Sequence, residues 1–84
     1  MWYVYFLTSK RVKNWIYVGS TNNLRRRFEE HKLGKSLSTQ PFLPVYLVAY
    51  LAVRTQRKAR SLEKYFKAGS GKAILKKRIL SDEA

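Results

Sequence analysis

The chain of 84 residues contains no cysteine, so neither disulfide bonds nor a thiolate zinc site can stabilise it. Its longest apolar run covers only residues 45–53, well short of the roughly 20 residues that a membrane-spanning helix needs. The N-terminus begins with the core-like sequence WYVYFL, and no cleavable signal follows it. These absences predict a cytoplasmic protein without disulfide bonds.

Acidic residues are also scarce. Five aspartates and glutamates face eighteen lysines and arginines, which gives a formal net charge of +13. Such a charge attracts polyanions, of which nucleic acid is the commonest. An anionic membrane surface is the less favoured partner, because no basic amphipathic tail stands apart from the fold.

The length predicts one domain with a thin core. Hydrophobic residues make up 45% of the chain, which is enough for a globular fold and too much for disorder. We therefore expect a single domain over residues 1–80 and a frayed tail, SDEA, over residues 81–84.

Hydrophobic patterning predicts three strands, at residues 2–7, 15–18 and 45–53. Residues 8–14 are polar and join the first two strands in a hairpin, and Gly19 ends the second strand. Both prolines lie in residues 35–44, which we expect to form a loop.

The first predicted helix follows the second strand. Ser20 or Thr21 can cap its beginning, and it runs to Lys32 or Leu33, where Gly34 suits its C-terminal end.

Two more helices follow the third strand. Thr55 caps the helix QRKARSLEKYFKA, which Gly69 closes, and Ser70 caps a short basic helix, GKAILKKRIL. The order β-β-α-β-α-α predicts an α+β fold, a small three-stranded antiparallel sheet flanked by helices.

The helical period separates three consecutive arginines of the first helix. Leu24 and Phe28 are its apolar anchors, and Arg27 and His31 share their inward side at about 100° per residue. The outward residues are Arg25, Arg26, Glu29 and Glu30. A guanidinium that faces a core needs a carboxylate, carbonyl groups or a ligand anion, because it loses hydration there.

The second helix has a similar pattern. Its buried stripe contains Ala59, Leu62 and Phe66, with Glu63 at the edge of the stripe. The residues that point away are Arg57, Lys64 and Tyr65. One of the few carboxylates therefore lies on a packing side.

Strand alternation predicts that Tyr3 and Tyr5 share one face of the first strand, and that Tyr17 shares a face with Trp15 in the second. Pairing of these strands could bring Tyr5 and Tyr17 together. Two interpretations stay open at this point. Arg27 could form a structural inter-helix salt bridge with Glu63 among core tyrosines, or these residues could form a functional site.

Several motifs match one known family. The pattern Tyr3-Val4-Tyr5, then Tyr17-Val18-Gly19, is followed by Thr21, Leu24, Arg27, His31 and a later Glu63. This spacing resembles the GIY-YIG nuclease family over nearly the whole chain. It departs from the family pattern at Tyr3, where the family has glycine, and at Val18, where it has isoleucine. The resemblance is closest to short stand-alone bacterial members, which are related to the nuclease module of excision-repair and homing endonucleases.

The resemblance implies a metal-dependent endonuclease that hydrolyses phosphodiester bonds in DNA, with a role in repair or recombination. Glu63 would hold Mg²⁺ or Mn²⁺, and Arg27 would hold the phosphate. Tyr5 would take the proton of the attacking water and Tyr17 would orient that water. Arg27, the metal and the basic surroundings are expected to lower the pKa of Tyr5 and favour its phenolate. His31 could donate to the phosphate, orient Tyr5, or be a core histidine bonded to a backbone carbonyl.

Other residues could contact the DNA backbone. Thr21 and Asn23, beside Ser20, lie where a helix N-terminus can hold an anion, although capping alone also explains them. Lys67 could contact phosphate or be solvated, and the third helix presents basic residues at Lys72, Lys76, Lys77 and Arg78. The segment GSGK is no P-loop, because it lacks the spacing and the preceding strand.

The alternative function is a non-catalytic basic nucleic-acid-binding module. Charge does not separate the two, because both need a basic face. The inward-facing residues do separate the two functions, since a binding protein has no need of a lone carboxylate beside its phosphate site. These residues are Tyr5, Tyr17, Arg27 and Glu63. Substrate specificity would come from a partner protein, because no separate DNA-binding domain is attached to the predicted core.

Overall fold

A computed structural model describes residues 1–80, and the predicted frayed tail lies outside the described residues. The strands are β1 (Trp2–Ser9), β2 (Ile16–Thr21) and β3 (Val45–Val53). The helices are α1 (Leu24–Lys32), α2 (Gln56–Lys67) and α3 (Gly69–Ile74), and α3 continues into a π-helical turn, Leu75–Ile79. A 3₁₀ turn, Gln40–Phe42, precedes β3. The predicted α+β fold and its element order are confirmed.

The three strands form one antiparallel sheet in the order β2-β1-β3. Tyr5 of β1 lies opposite Gly19 of β2 and opposite Tyr50 of β3. β1 is the central strand, and its residues from Val4 to Leu7 are buried, whereas β3 is equally apolar in sequence but lies at an edge and is largely exposed. β2 is therefore an edge strand, and the candidate site lies along it.

The helices pack on opposite faces of the sheet. On one face, Val4, Phe6 and Val18 pack against Ala59 and Phe66 of α2 and against Leu75 of the turn that follows α3. On the other face, Tyr5 and Leu7 pack with Leu24 and Phe28 of α1. Strand alternation produces this division, because neighbouring residues of β1 point to opposite faces.

Several predicted element boundaries are wrong at the start of α1. β2 continues through Gly19 to Thr21, because its pairing with β1 extends to Tyr3. The N-cap is Asn23, whose side chain accepts a hydrogen bond from the Arg26 amide at 3.0 Å. Neither Ser20 nor Thr21 caps this helix, since the asparagine satisfies the first free amides. Its predicted end is confirmed: Gly34 follows with a φ of +76°.

The prediction that Gly69 closes α2 and Ser70 caps α3 is also wrong. α2 ends at Lys67, and Gly69 is the first residue of α3, which has no side-chain cap. The extended backbone of Ala68 alone separates the two helices. The prediction for Thr55 is confirmed, because its hydroxyl accepts a hydrogen bond from the Lys58 amide.

None of the helices formed by residues 1–80 is long and apolar enough to cross a membrane.

Candidate active site

Tyr5 and Tyr17 meet on the α1 face of the sheet, as strand alternation predicts. Their ring centroids lie 6.2 Å apart. Tyr5 lies across the backbone of Gly19, where an added Cβ would come within 2.5 Å of the phenol carbon and oxygen. Glycine at this position therefore makes room for the Tyr5 ring, which is fully buried. Tyr17 is half-buried and lies nearer the edge of the sheet.

His31 links Tyr5 to a third buried side chain. The Tyr5 hydroxyl and His31 Nε2 are hydrogen-bonded at 2.8 Å. On the other side of the ring, Nδ1 is hydrogen-bonded to the Thr39 hydroxyl at 2.7 Å. Both His31 and Thr39 have no exposed surface. His31 is therefore buried in the core, as one of the alternatives had it, but its ring nitrogens bond side chains and not the predicted backbone carbonyl.

The imidazole of His31 is neutral at pH 7. Burial and, to a smaller extent, the nearby Arg27 charge lower its pKa to about 4, although Glu30 opposes this shift in part. A neutral imidazole carries one N–H donor and one bare acceptor nitrogen. His31 can therefore accept a hydrogen bond from Tyr5 while it donates one to Thr39, or the reverse.

Tyr5 is also neutral, and here the expectation from the sequence is wrong. Burial raises the pKa of Tyr5 far above its ordinary value, and the neighbouring Tyr17 raises it further. Arg27 lowers the pKa of Tyr5, but burial outweighs it. The protein alone does not hold Tyr5 as a phenolate.

Arg27 is the inward member of the arginine run, as the helical period predicts. It is half-buried and faces the phenols of Tyr5 and Tyr17, whereas Arg25 and Arg26 are exposed. Its Nη1 atom pairs with Glu30 Oε1 at 3.1 Å, one turn along the same helix.

The proposed structural bridge between Arg27 and Glu63 is wrong. α1 and α2 cover opposite faces of the sheet, so each of these side chains has a different partner. The carboxylate that Arg27 requires is Glu30, which was predicted to point outward. It lies one turn from Arg27 on the helix surface, at the spacing that favours ion pairs.

Glu63 lies beside the edge strand β2. Its Oε1 accepts a hydrogen bond from the Ser20 hydroxyl at 2.6 Å, and its Oε2 accepts one from Lys67 Nζ at 2.7 Å. Burial raises the pKa of Glu63, but these hydrogen bonds and the charges of Lys67 and Arg60 outweigh it, so the pKa is below its usual range. Glu63 is therefore an ionised carboxylate on a partly exposed surface.

β2 connects the two parts of the site. Ser20 contacts Glu63, and the neighbouring residue Gly19 contacts Tyr5. Because neighbouring residues of a strand point to opposite faces, Glu63 and Tyr5 lie on opposite faces of the sheet. Lys67 contacts Glu63 and also lines a cavity of about 160 Å³ together with Tyr17 and Lys72. The carboxylate and the phenols thus border the same strand edge.

The residues of this site can hold a divalent metal only through a single protein carboxylate. Within residues 1–80, no three His, Cys, Asp or Glu side chains come together. Mg²⁺ is commonly held by one or two carboxylates with substrate phosphate and water as its other ligands. Glu63 is ionised and borders an open cleft of about 520 Å³, so it can be the one protein ligand of such an ion.

The predicted DNA-contacting residues occupy different environments. Thr21 is buried, and its hydroxyl accepts a hydrogen bond from the Asn23 amide at 3.1 Å. Asn23 is the N-cap and Thr21 bonds the Asn23 amide, so both side chains bond within the turn, which favours a structural role over an anion site. The lysines at 72, 76 and 77 are exposed.

Sequence reasoning missed Thr39, Glu30 and Ser20 as partners of the site. Thr39 lies in a loop with several hydroxyl residues, and no periodicity distinguishes the one that contacts His31. Glu30 is different, because its spacing from Arg27 was a usable signal.

Comparison with known proteins agrees with the resemblance seen in the motifs. The family model described as the GIY-YIG catalytic domain matches residues 1–78. No curated protein and no solved structure matches the chain. The matched range contains every side chain of the site described above.

Proposed function

The chain belongs to the GIY-YIG family of phosphodiester hydrolases, so it is a nuclease that acts on nucleic acid, and we propose that it is a divalent-metal-dependent endonuclease for DNA. The observation that carries this proposal is the buried hydrogen bond between Tyr5 and His31, beside the Arg27 guanidinium. Burying polar groups is costly, and a surface that only binds a polyanion does not need a buried phenol–imidazole pair. The net charge of +13 supports a polyanionic substrate.

Tyr5 acts in this proposal as a proton relay, because it is neutral in the folded protein. As the attacking water loses a proton to the Tyr5 oxygen, the original phenolic proton moves to His31 Nε2. The phenol is regenerated and the imidazole becomes an imidazolium. The proton lost by the water is therefore matched by the proton gained by His31. A bound phosphate anion would raise the pKa of His31 and favour this transfer.

Arg27 binds the scissile phosphate through its planar set of N–H donors, while Glu30 holds the guanidinium from the other side. Tyr17, half-buried at the mouth of the site, orients the attacking water. Arg25 and Arg26 are exposed and supply general affinity for the DNA backbone.

Glu63 would hold Mg²⁺ or Mn²⁺, the ions that suit a hard oxygen ligand. When bound, the ion supplies charge neutralisation at the phosphoryl oxygen and at the leaving alkoxide. The Lys67 ammonium now occupies one oxygen of Glu63. If such an ion took the place of Lys67 on Glu63, the Lys67 ammonium would be free to bind the substrate phosphate.

The test is incubation of the protein with supercoiled plasmid and with branched DNA, in Mg²⁺, in Mn²⁺ and in EDTA. Branched DNA is included because the resemblance implies a role in repair or recombination. Glu63→Gln keeps the shape of the side chain and removes its charge. It should reduce cleavage roughly a thousandfold, since metal stabilisation of a transition state is worth several kcal/mol.

Glu29→Gln is the matched control, because Glu29 is an exposed carboxylate that pairs with Lys32 on the surface of α1. It should leave the cleavage rate and the thermal midpoint unchanged. Tight DNA binding by the wild-type protein without cleavage under any divalent ion would support the non-catalytic binding module instead. A folded Glu63→Gln variant that cuts at the wild-type rate would reject Glu63 as the metal ligand.

A further inference from the structure

The loop between α1 and β3 carries one hydroxyl into the buried part of the site. We propose that Thr39 is a positioning residue of the nuclease: its hydroxyl accepts the Nδ1–H of His31 and so keeps Nε2 bare and directed at Tyr5. This inference rests on the proposed function, in which Nε2 receives the Tyr5 proton. It assigns a role to a segment that neither family motif contains.

The contact itself is short and shielded from water. Thr39 Oγ1 lies 2.7 Å from His31 Nδ1, and neither residue has exposed surface. In a neutral histidine, the tautomer is set by the hydrogen bond that the second nitrogen makes. Water cannot substitute for this partner at a fully buried ring, so in the proposed arrangement the Thr39 hydroxyl is the group that accepts the Nδ1–H.

The surroundings of Tyr5 indicate the direction of the chain of hydrogen bonds. Arg27 faces the Tyr5 hydroxyl, and a guanidinium can only donate hydrogen bonds. The Arg27 charge beside Tyr5 favours the phenol oxygen as an acceptor on that side, and the proposal therefore directs the phenol proton to His31 Nε2. The remaining proton of the neutral imidazole must then lie on Nδ1, where Thr39 accepts it.

Other groups that face the His31 ring agree with this arrangement. Tyr17 contacts the ring with a centroid distance of 5.2 Å, and the charges of Arg27 and Glu30 from α1 act on it with opposite signs. Among the described residues, the Thr39 side chain is the hydrogen-bond partner of Nδ1, and Tyr17, Arg27 and Glu30 make no hydrogen bond to it. Control of the Nδ1 proton therefore depends on the loop.

The loop is held in place on both sides of Thr39. Phe42 stacks on Trp15 at a centroid distance of 4.4 Å, and the Ser9 hydroxyl donates to the Phe42 carbonyl. The Arg11 guanidinium also donates to the carbonyl of Pro41. On the N-terminal side of Thr39, its own amide donates a hydrogen bond to the Ser36 carbonyl at 3.2 Å. A loop clamped in this way can present one hydroxyl at a fixed position.

The direct test is nitrogen-15 NMR of the imidazole in the full chain without DNA or metal. The chain has one histidine, so its ring signals need no assignment. At pH 7 the wild-type protein should show a protonated Nδ1 and a bare Nε2. Thr39→Val should populate the Nε2–H tautomer, because the valine offers no acceptor to Nδ1, and Thr39→Ser should restore the wild-type spectrum.

The kinetic test uses the same three proteins on plasmid with Mg²⁺. Thr39→Val should lower kcat roughly 10- to 100-fold, the usual effect of removing a group that orients a functional histidine. The KM for DNA should not change, and Thr39→Ser should recover most of the rate. Ser36→Ala is the control, because Ser36 is a buried hydroxyl of the same loop without a hydrogen bond to His31.

A wild-type spectrum with the proton on Nε2 would overturn the proposal, even if the protein cuts DNA. So would a Thr39→Val protein with unchanged tautomer and kcat. If the valine variant fails to fold, the wild-type spectrum and the serine variant still decide. The spectrum is read without substrate, so a protein that lacks cleavage would reject the proposed nuclease mechanism and leave the tautomer test intact.

Discussion

The two faces of the sheet differ in what they bury. The face under α2 and the π-helical turn buries the hydrophobic side chains of Val4, Phe6 and Phe66. The face under α1 buries a chain of three polar side chains, Tyr5, His31 and Thr39. Both faces are built from alternate residues of the same central strand.

This division explains how a small chain can contain a buried polar site. A thin core gives little excess stability, and buried polar groups add little to it. We infer that the apolar face supplies most of the stability and allows the α1 face to carry the chemistry. Glu63 crosses this division, because it comes from α2 and reaches the functional edge through Ser20.

The first prediction separates stability from activity. Phe66→Ala removes a ring that packs edge-to-face on Phe6 at 5.2 Å, and should lower the free energy of unfolding by about 3–5 kcal/mol. Tyr5→Phe keeps the ring and leaves one buried nitrogen of His31 without its partner, which should cost about 1–3 kcal/mol. Urea unfolding followed by tryptophan fluorescence measures both. Equal losses would show that the two faces contribute alike.

The second prediction tests whether one arginine of the run belongs to the functional face. Arg27→Ala should reduce the cleavage rate at saturating DNA by roughly 10²–10³-fold, the usual effect of removing a donor to transition-state charge. Arg25→Ala and Arg26→Ala should weaken binding and leave the saturated rate unchanged, because both side chains are exposed. If all three variants lost the same cleavage rate, the inward position of Arg27 would have no functional meaning.

The third prediction concerns acid stability of the α1 face. The pKa of His31 falls from 6.5 to about 4 on folding, so between these values the unfolded chain binds more protons than the folded one. Stability therefore decreases as the pH falls through this window, by about 3 kcal/mol at roughly 1.4 kcal/mol per pH unit. The free energy of unfolding measured from pH 7 to pH 4 tests this.

His31→Gln provides the control for that titration, because glutamine does not ionise and its stability should vary much less over the same range. The lowered pKa of Glu63 does not account for a loss of stability in the pH window of the His31 titration. A carboxylate of this kind loses its stabilising effect only as the pH falls below the ordinary glutamate value of about 4.3. A wild-type protein with constant stability from pH 7 to pH 4 would contradict the buried neutral histidine.

Periodicity predicted the site where the relevant geometry is local. The helical period placed Arg27 inward, and strand alternation brought Tyr5 to Tyr17. A helical wheel does not tell which face of a sheet a helix covers, and so the pairing of Arg27 with Glu63 was wrong. The raised pKa of Tyr5 depends on burial by residues distant in the sequence, which no motif reports.

The loop residue Thr39 was beyond prediction for a different reason. A loop has no hydrophobic period, and its hydroxyl residues look equivalent in the sequence. Only the tertiary contacts of this loop, such as the stacking of Phe42 on Trp15, determine which hydroxyl reaches His31. Sequence reasoning therefore recovered the elements and the motif side chains, but not the side chains that hold them.

The last and smallest effect concerns the outer surface beyond α3, where Lys76 and Lys77 are exposed on the π-helical turn. If both contact DNA phosphates, the slope of log K against log salt should shrink by roughly 1.8 in the double alanine variant, at about 0.9 per phosphate contact. The control removes the same charge elsewhere: Lys10 and Lys13 are exposed in the β1–β2 connection, and their double alanine variant should shift the slope less. Fluorescence anisotropy of duplex DNA from low to high salt, with EDTA to prevent cleavage, measures these slopes. Equal slopes for the two double variants would mean that net charge alone attracts DNA, and that the α2 and α3 face contributes stability without a specific contact to the substrate.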